Sequence, residues 1–427
     1  MRKILSVFLV VTCLVLGFSL LSCEKEVGSV YYLNFKPEQD ADWQKLAKKY
    51  TESTGVEVKV VTAAAGTYES TLTAELDKDE APTLFQINGQ VGYNSWKNYC
   101  LDLTNSDLHK ELTSNDFAVM DNGKVYGIAY VYEGYGIIVN KKLLKQAGYE
   151  IDDITSYAEL ETVAKDITAR KETLGFSAFT SAGLDGSSSW RFSGHLANMP
   201  LFYEFEQDKI TTQPAIIKGT YLNNFKNVWD LYINNSTVSP TQLPSKTGVD
   251  TLAEFTTGKA VFYQNGTWEY SNVITNSTVK SEDLGYLPIY MGIRDEKQGL
   301  SCGTENFWSV NKQASKADQE ATLDFLYWVV TSEEGTTALA KDMGFVSPFK
   351  KAKDVDNVLC NIMNEYVANG CYNVSWAFNH TPNVDAWRAG LVDALAAYSA
   401  DQTIANWDKV KKAFVDGWAT EYAKQNQ

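Results

Sequence analysis

From residue 30 onward, short apolar runs alternate with longer stretches whose apolar positions recur at helical spacing. VYYLNF (30–35) is apolar enough for a buried strand. In residues 36–55, Trp43, Leu46, Ala47 and Tyr50 fall at i, i+3, i+4 and i+7, one face of a helix, and Gly55 supplies its stop. VEVKVV (56–61) alternates as a second strand, residues 62–79 continue into a second helix, and APTLFQI (81–87) reads as a third strand. This order predicts a parallel α/β layer. Ligands of such layers bind beyond the carboxyl ends of the strands, which places 34–40, 64–68 and 88–93 at one rim.

The alternation continues. Residues 130–148 read as a strand-rich run followed by a short helix ending at Gly148, 156–171 as an amphipathic helix and 175–181 as a strand. In GKAVFYQNGTWEYSN (258–272) a hydrophobic strand runs into an Asn-Gly turn, and Trp268 follows it. A chain of 427 residues is too long for one compact domain of ordinary size. Domains strung in series usually show a flexible junction, yet no repeat, low-complexity segment or Pro-rich linker divides the halves. Two lobes whose chain crosses between them several times fit better.

The first 22 residues change the picture of where the protein works. Arg2 and Lys3 precede an uncharged apolar run that ends in LLSC, the layout of an export signal. LLSC resembles the lipobox of bacterial lipoproteins, in which Cys23 is diacylated and becomes the mature N-terminus. Two acyl chains suffice for stable anchoring, so a protein held on the outer face of the cytoplasmic membrane is expected, with membrane contact only through the lipid. A formal charge of −15 argues against nucleic acid or an anionic membrane surface as partner. Beyond Cys23 the cysteines are Cys100, Cys302, Cys360 and Cys371. Cys360 and Cys371 either pair as a disulfide in an oxidising compartment or stay as free buried thiols. Their spacing forms no metal motif, and no cofactor is expected. His109, His195 and His380 belong to no metal or triad motif and read as structural histidines.

An aromatic content of 13%, with 11 Trp and 24 Tyr, exceeds what an aliphatic core needs. Such rings often meet flat ligand faces. The lipobox, the strand-loop-helix start, YEGYGIIVNKKLLKQAG, FTTGKAVFYQNGTW and SEEGTTALAKDMGFVSPF together resemble the extracellular solute-binding proteins of bacterial sugar ABC transporters, family 1, the maltodextrin-binding branch. The resemblance implies an α/β, two-lobed clamp of the periplasmic-binding-protein kind, each lobe a central sheet flanked by helices. After the signal peptide (1–22) and a tether (23–29), lobe 1 would comprise 30–132 plus 288–343, and lobe 2 133–287 plus 344–427. The implied partners are an oligosaccharide and the permease subunits, with the binding protein itself a monomer.

A neutral sugar presents apolar C–H faces and a ring of hydroxyls, so it calls for aromatic plates and planar polar groups. The resemblance implies Trp268 as a stacking plate on lobe 2, with a core tryptophan as the alternative, and Glu133 as a hinge-region acceptor of paired hydroxyls. Asn88 and Gln90 stand where the family has an aromatic and an acid. Trp190 and Arg191 follow a serine-rich loop, and Glu305 and Asn306 open a strand in which Phe307 and Trp308 should face opposite sides. Trp376 and Arg388 lie where the family adds an aromatic to the lobe 2 wall. Glu38 and Asp40 follow the first strand, a place where carboxylates also serve helix N-termini. A surface glycosidase is the enzymatic alternative, since paired carboxylates in aromatic clefts also describe those enzymes. No short segment of this chain sets two acids in such an arrangement, and ligand capture without chemistry is the reading carried forward.

Overall fold

A computed structural model describes residues 27–181, 183–186, 188–275 and 277–426. The export segment and Cys23 lie outside the described residues. The first described residues are tied down at once: the Ser29 amide donates to Asp318 Oδ1 at 2.7 Å. A Cβ on Gly28 would sit 2.1 Å from the Ala317 carbonyl oxygen, so only glycine lets the chain enter this close.

Among the described residues twelve strands form two sheets. The first runs β2-β1-β3-β11-β5-β4, comprising Val30–Asn34 (β1), Val58–Thr62 (β2), Leu84–Asn88 (β3), Ala118–Asp121 (β4), Lys124–Ala129 (β5) and Asn306–Val310 (β11). β2, β1 and β3 are parallel, as their alternation with helices predicts, and β11 lies antiparallel between β3 and β5. The second runs β12-β10-β6-β8-β7, from Glu133–Asn140 (β6), Ser177–Phe179 (β7), Ala260–Gly266 (β8), Gln298–Gly303 (β10) and Tyr372–Ser375 (β12), with Leu284–Leu287 (β9) pairing β6. Helices flank both sheets, so the chain is a two-lobed α/β molecule.

The helical face read from Trp43, Leu46, Ala47 and Tyr50 is the buried face of Asp40–Thr54, and Gly55 ends that helix at φ +77°. Trp308 and Phe307 bury into cores on opposite faces of the first sheet. Two findings differ from the sequence reading. Asn265 and Gly266 are not a turn but the last residues of β8, because Gly136 and Tyr135 pair with them across β6; a short 3₁₀ turn, Thr267–Glu269, follows. The crossings between lobes also shift. The chain leaves the first sheet between Ala129 and Glu133; β10 hydrogen-bonds to β6 and β12, so the return to the first sheet falls between Gly303 and Asn306 rather than near 288. The third lies beyond 343, because Phe345 and Phe349 pack in the first lobe before the helix Val358–Ala368 joins the second.

Cys100, Cys302, Cys360 and Cys371 are all free thiols. Cys360 sits in the first turn of Val358–Ala368 and Cys371 beyond its far end. About eight residues of helix, roughly 12 Å, separate them, which exceeds the span a disulfide bridges. Among the described residues no helix is long and apolar enough to cross a membrane.

Candidate functional site

The seam between the lobes gathers charge from both. Lys36, in the turn after β1, donates to Glu133 Oε1 at 2.9 Å and Oε2 at 3.1 Å, and Glu38 lies 3.5 Å from the same ammonium. Both ends of the Lys36–Glu133 pair are buried, with side chains 9% and 6% exposed. Burial pulls the Lys36 proton off, but Glu133 and Glu38 outweigh burial and hold the ammonium above its ordinary value. Burial pushes the Glu133 carboxyl up, with Lys36 offsetting part of the push. The two tendencies compete for one proton; the two short contacts from a single ammonium favour the ion pair.

The second lobe supplies the aromatic wall. His195, buried in the π-helical turn Arg191–Leu196, is the hub: its ring centroid lies 4.3 Å from Tyr135, 4.9 Å from Trp376, 5.4 Å from Trp268 and 5.5 Å from Trp190. Burial, then Arg388, Lys36 and Arg191, drive its basicity well below the ordinary histidine range, so the ring is neutral. Trp268 and Trp190 are half-buried and 5.8 Å apart, whereas Trp376 is only 5% exposed. The Lys36 ammonium stands 5.4 Å over the Trp268 ring, within cation–π range. The Arg191 guanidinium lies 4.4 Å from the Trp190 ring and 3.9 Å from Glu269. Glu269 thus faces the seam, while Tyr270 is buried in the lobe 2 core with its hydroxyl on Ser281.

Further along, Arg388 donates to Glu305 at 3.0 Å. Glu69 belongs to the first turn of Tyr68–Leu76 on lobe 1, and Asp385 to the first turn of Val384–Ala400 on lobe 2. Burial and Asp385 raise the Glu69 carboxyl to about 7, against the pull of Arg388. A carboxyl whose folded value lies above its unfolded one stabilises the fold at low pH, and that contribution is lost as pH rises through about 7. Glu69→Gln should therefore melt at nearly the parent temperature at pH 5 and above it at pH 8, which thermal scans at the two values would read. An unchanged difference between parent and variant would remove Glu69 from the titration.

Trp268, Glu133, Trp190, Trp376, Glu38, Glu305 and Arg388 thus lie along one seam. Gln90 and Trp376 line an adjoining groove of about 990 Å³ between the lobes, with Phe117, Phe205, Thr304 and Asn379 among its other walls. Asn88 and Asn306 are backbone partners where β3 meets β11; Asn306 is buried there and Asn88 half-buried. Lys36, Glu69, His195 and Asp385 are seam residues that sequence reasoning did not select. Lys36 alone left a trace, as a single cation directly after the first strand.

A family model described as bacterial extracellular solute-binding protein matches residues 45–365. Among solved structures, RafE in complex with raffinose superposes with a TM-score of 0.73 at 20% identity over 93% of this chain and 100% of that one. Maltose-bound MalE3 of T. maritima gives 0.70 at 17% identity, and a chitin oligosaccharide binding protein 0.71 at 15%, each with the same two coverages. At these identities the superpositions show the fold, and the family match covers most of the chain: the protein belongs to the bacterial extracellular solute-binding proteins.

Proposed function

We propose that this protein captures an oligosaccharide between its lobes and delivers it, chemically unchanged, to the permease of an ABC transporter, while Cys23 carries a lipid that holds it on the outer face of the cytoplasmic membrane. The observation that carries the reading is the arrangement of three tryptophans around His195, opposite hydrogen-bonding side chains contributed by the other lobe. Trp268 and Trp190 would present their half-buried faces to the sugar ring, and Trp376 would wall the adjoining groove. Glu133, Glu305 and Glu38 would accept hydroxyl protons, and Arg388, Gln90, Asn88 and Asn306 would donate. Carboxylates and guanidinium groups bind adjacent hydroxyls in pairs, which suits a neutral sugar.

The structural neighbours, in complex with raffinose or maltose or described as binding chitin oligosaccharides, support an oligosaccharide ligand. The groove volume sits at the upper end of the roughly 300–1,000 Å³ usual for small-molecule sites, which favours a chain of several units over a single ring. Calorimetry against a panel headed by alpha-linked glucosides and galactosides should return at least one ligand with a micromolar or tighter dissociation constant and unaltered length. A panel without any binder would reject capture. Recovery of shortened sugar would instead establish the glycosidase.

A further inference from the structure

We infer that Lys36 is a displaceable strut between the lobes: its ammonium covers Glu133 and one face of Trp268, and a sugar that uses those groups must push it aside. Three observations carry this. First, the backbone of residue 36 is clamped independently of its side chain. The buried Asn34 side chain accepts from the Lys36 amide at 3.1 Å and donates to the Lys36 carbonyl at 2.8 Å, so only the four-carbon stem is free to swing. Second, the ammonium crosses from lobe 1 to the first residue of β6 in lobe 2, and it also lies 5.9 Å from the ring of Phe345, near the third crossing. Third, among the described residues Lys36 is the donor that satisfies the Glu133 carboxylate, and it does so with both partners nearly out of solvent. Hydroxyls reach that carboxylate only where Lys36 gives way.

The energetics allow an exchange. Burying two charges costs nearly what their attraction returns, so a buried ion pair adds little net stability and serves better as a switchable contact. A lysine suits this role, because its compact charge sits on a flexible stem that commits to no planar, two-pronged geometry. The sugar would take over Glu133 and Trp268 on lobe 2, and the released ammonium would keep company with Glu38 on lobe 1, 3.5 Å away.

The displacement rests on the capture reading; the strut does not, and the test separates them. Solution X-ray scattering of the sugar-free protein should show a larger radius of gyration for Lys36→Met than for the parent. Lys36→Met strands a buried carboxylate, so the double variant Lys36→Met/Glu133→Gln, which removes both charges, is measured alongside and decides if the single variant misfolds. An unchanged radius in the double variant overturns the strut, whatever the sugar results. With a bound sugar in hand, Lys36→Met should bind it about tenfold more tightly, because a competing internal contact is gone. Weaker binding by Lys36→Met would overturn displacement and make Lys36 a direct sugar contact.

Discussion

Trp268→Ala is expected to weaken sugar binding by about 1–3 kcal/mol, roughly 5- to 150-fold, the cost of truncating a central aromatic anchor. The ring is placed for this by its neighbours. A Cβ on Gly266 would lie 2.2 Å from the indole, so the glycine at the end of β8 leaves room for the ring to fold back over the strand. Tyr135 behind it, at 5.9 Å and 28° between planes, and Trp190 beside it keep it from turning into the core. Because the ring is half-buried, its loss should cost less stability than loss of a fully buried indole. Calorimetric titration paired with a thermal scan checks both parts. Intact affinity with a steep fall in melting temperature would make Trp268 a core residue.

Trp308→Ala should do the reverse, lowering stability by about 3–5 kcal/mol, the usual cost of deleting a buried large aromatic, while the folded fraction binds sugar as before. Trp308 is fully buried in β11, stacked on Tyr130 at 4.5 Å and 10°, edge-on to Trp43 at 5.9 Å, with its indole N–H donating to the Tyr32 hydroxyl at 3.2 Å. Removing it opens a cavity between the first sheet and its helices and leaves the Tyr32 hydroxyl without that donor. Urea unfolding reads the loss, and a fall below about 1 kcal/mol would show that the site collapses around the gap. Measured together, the two variants distinguish a plate from a core ring among the 11 tryptophans of this chain.

What could be read from the chain follows from how local each signal is. The helix Asp40–Thr54 was legible because its buried face and its glycine stop lie within sixteen residues, Asp40 to Gly55. The opposite facing of Phe307 and Trp308 was legible because strand geometry alone demands it. The lobe membership of QGLSCG and NFWSV was not. Both run as strands, and which sheet each joins depends on partners such as Glu133 and Asn88, far away in sequence. At Asn265-Gly266, turn chemistry was the strongest local signal, and pairing with β6 overrode it. The site divides in the same way. Trp268, Trp190 and Trp376 stood out as aromatics beside polar loops, but nothing local places His195 among them. Lys36 looks like a solvated lysine until Glu133, 97 positions on, is laid against it. Glu69 and Asp385 are ordinary first-turn acids whose only unusual feature is that the lobes bring them together.

The position of β11 also bears on how the molecule can be assembled. The strand sits in the middle of the first sheet, between β3 and β5, yet it enters the chain only at Asn306. A nascent chain that has reached Gly303 holds both neighbours with open edges facing an empty slot, each a row of unpaired backbone groups. The second sheet waits as well, because β12 arrives only at Tyr372. The first sheet is complete only at Val310 and the second only at Ser375, and no single cut in the chain yields an intact half. Folding is thereby deferred until the last third of the polypeptide is present, and long-range strand insertion, an intrinsically slow step, becomes its final act.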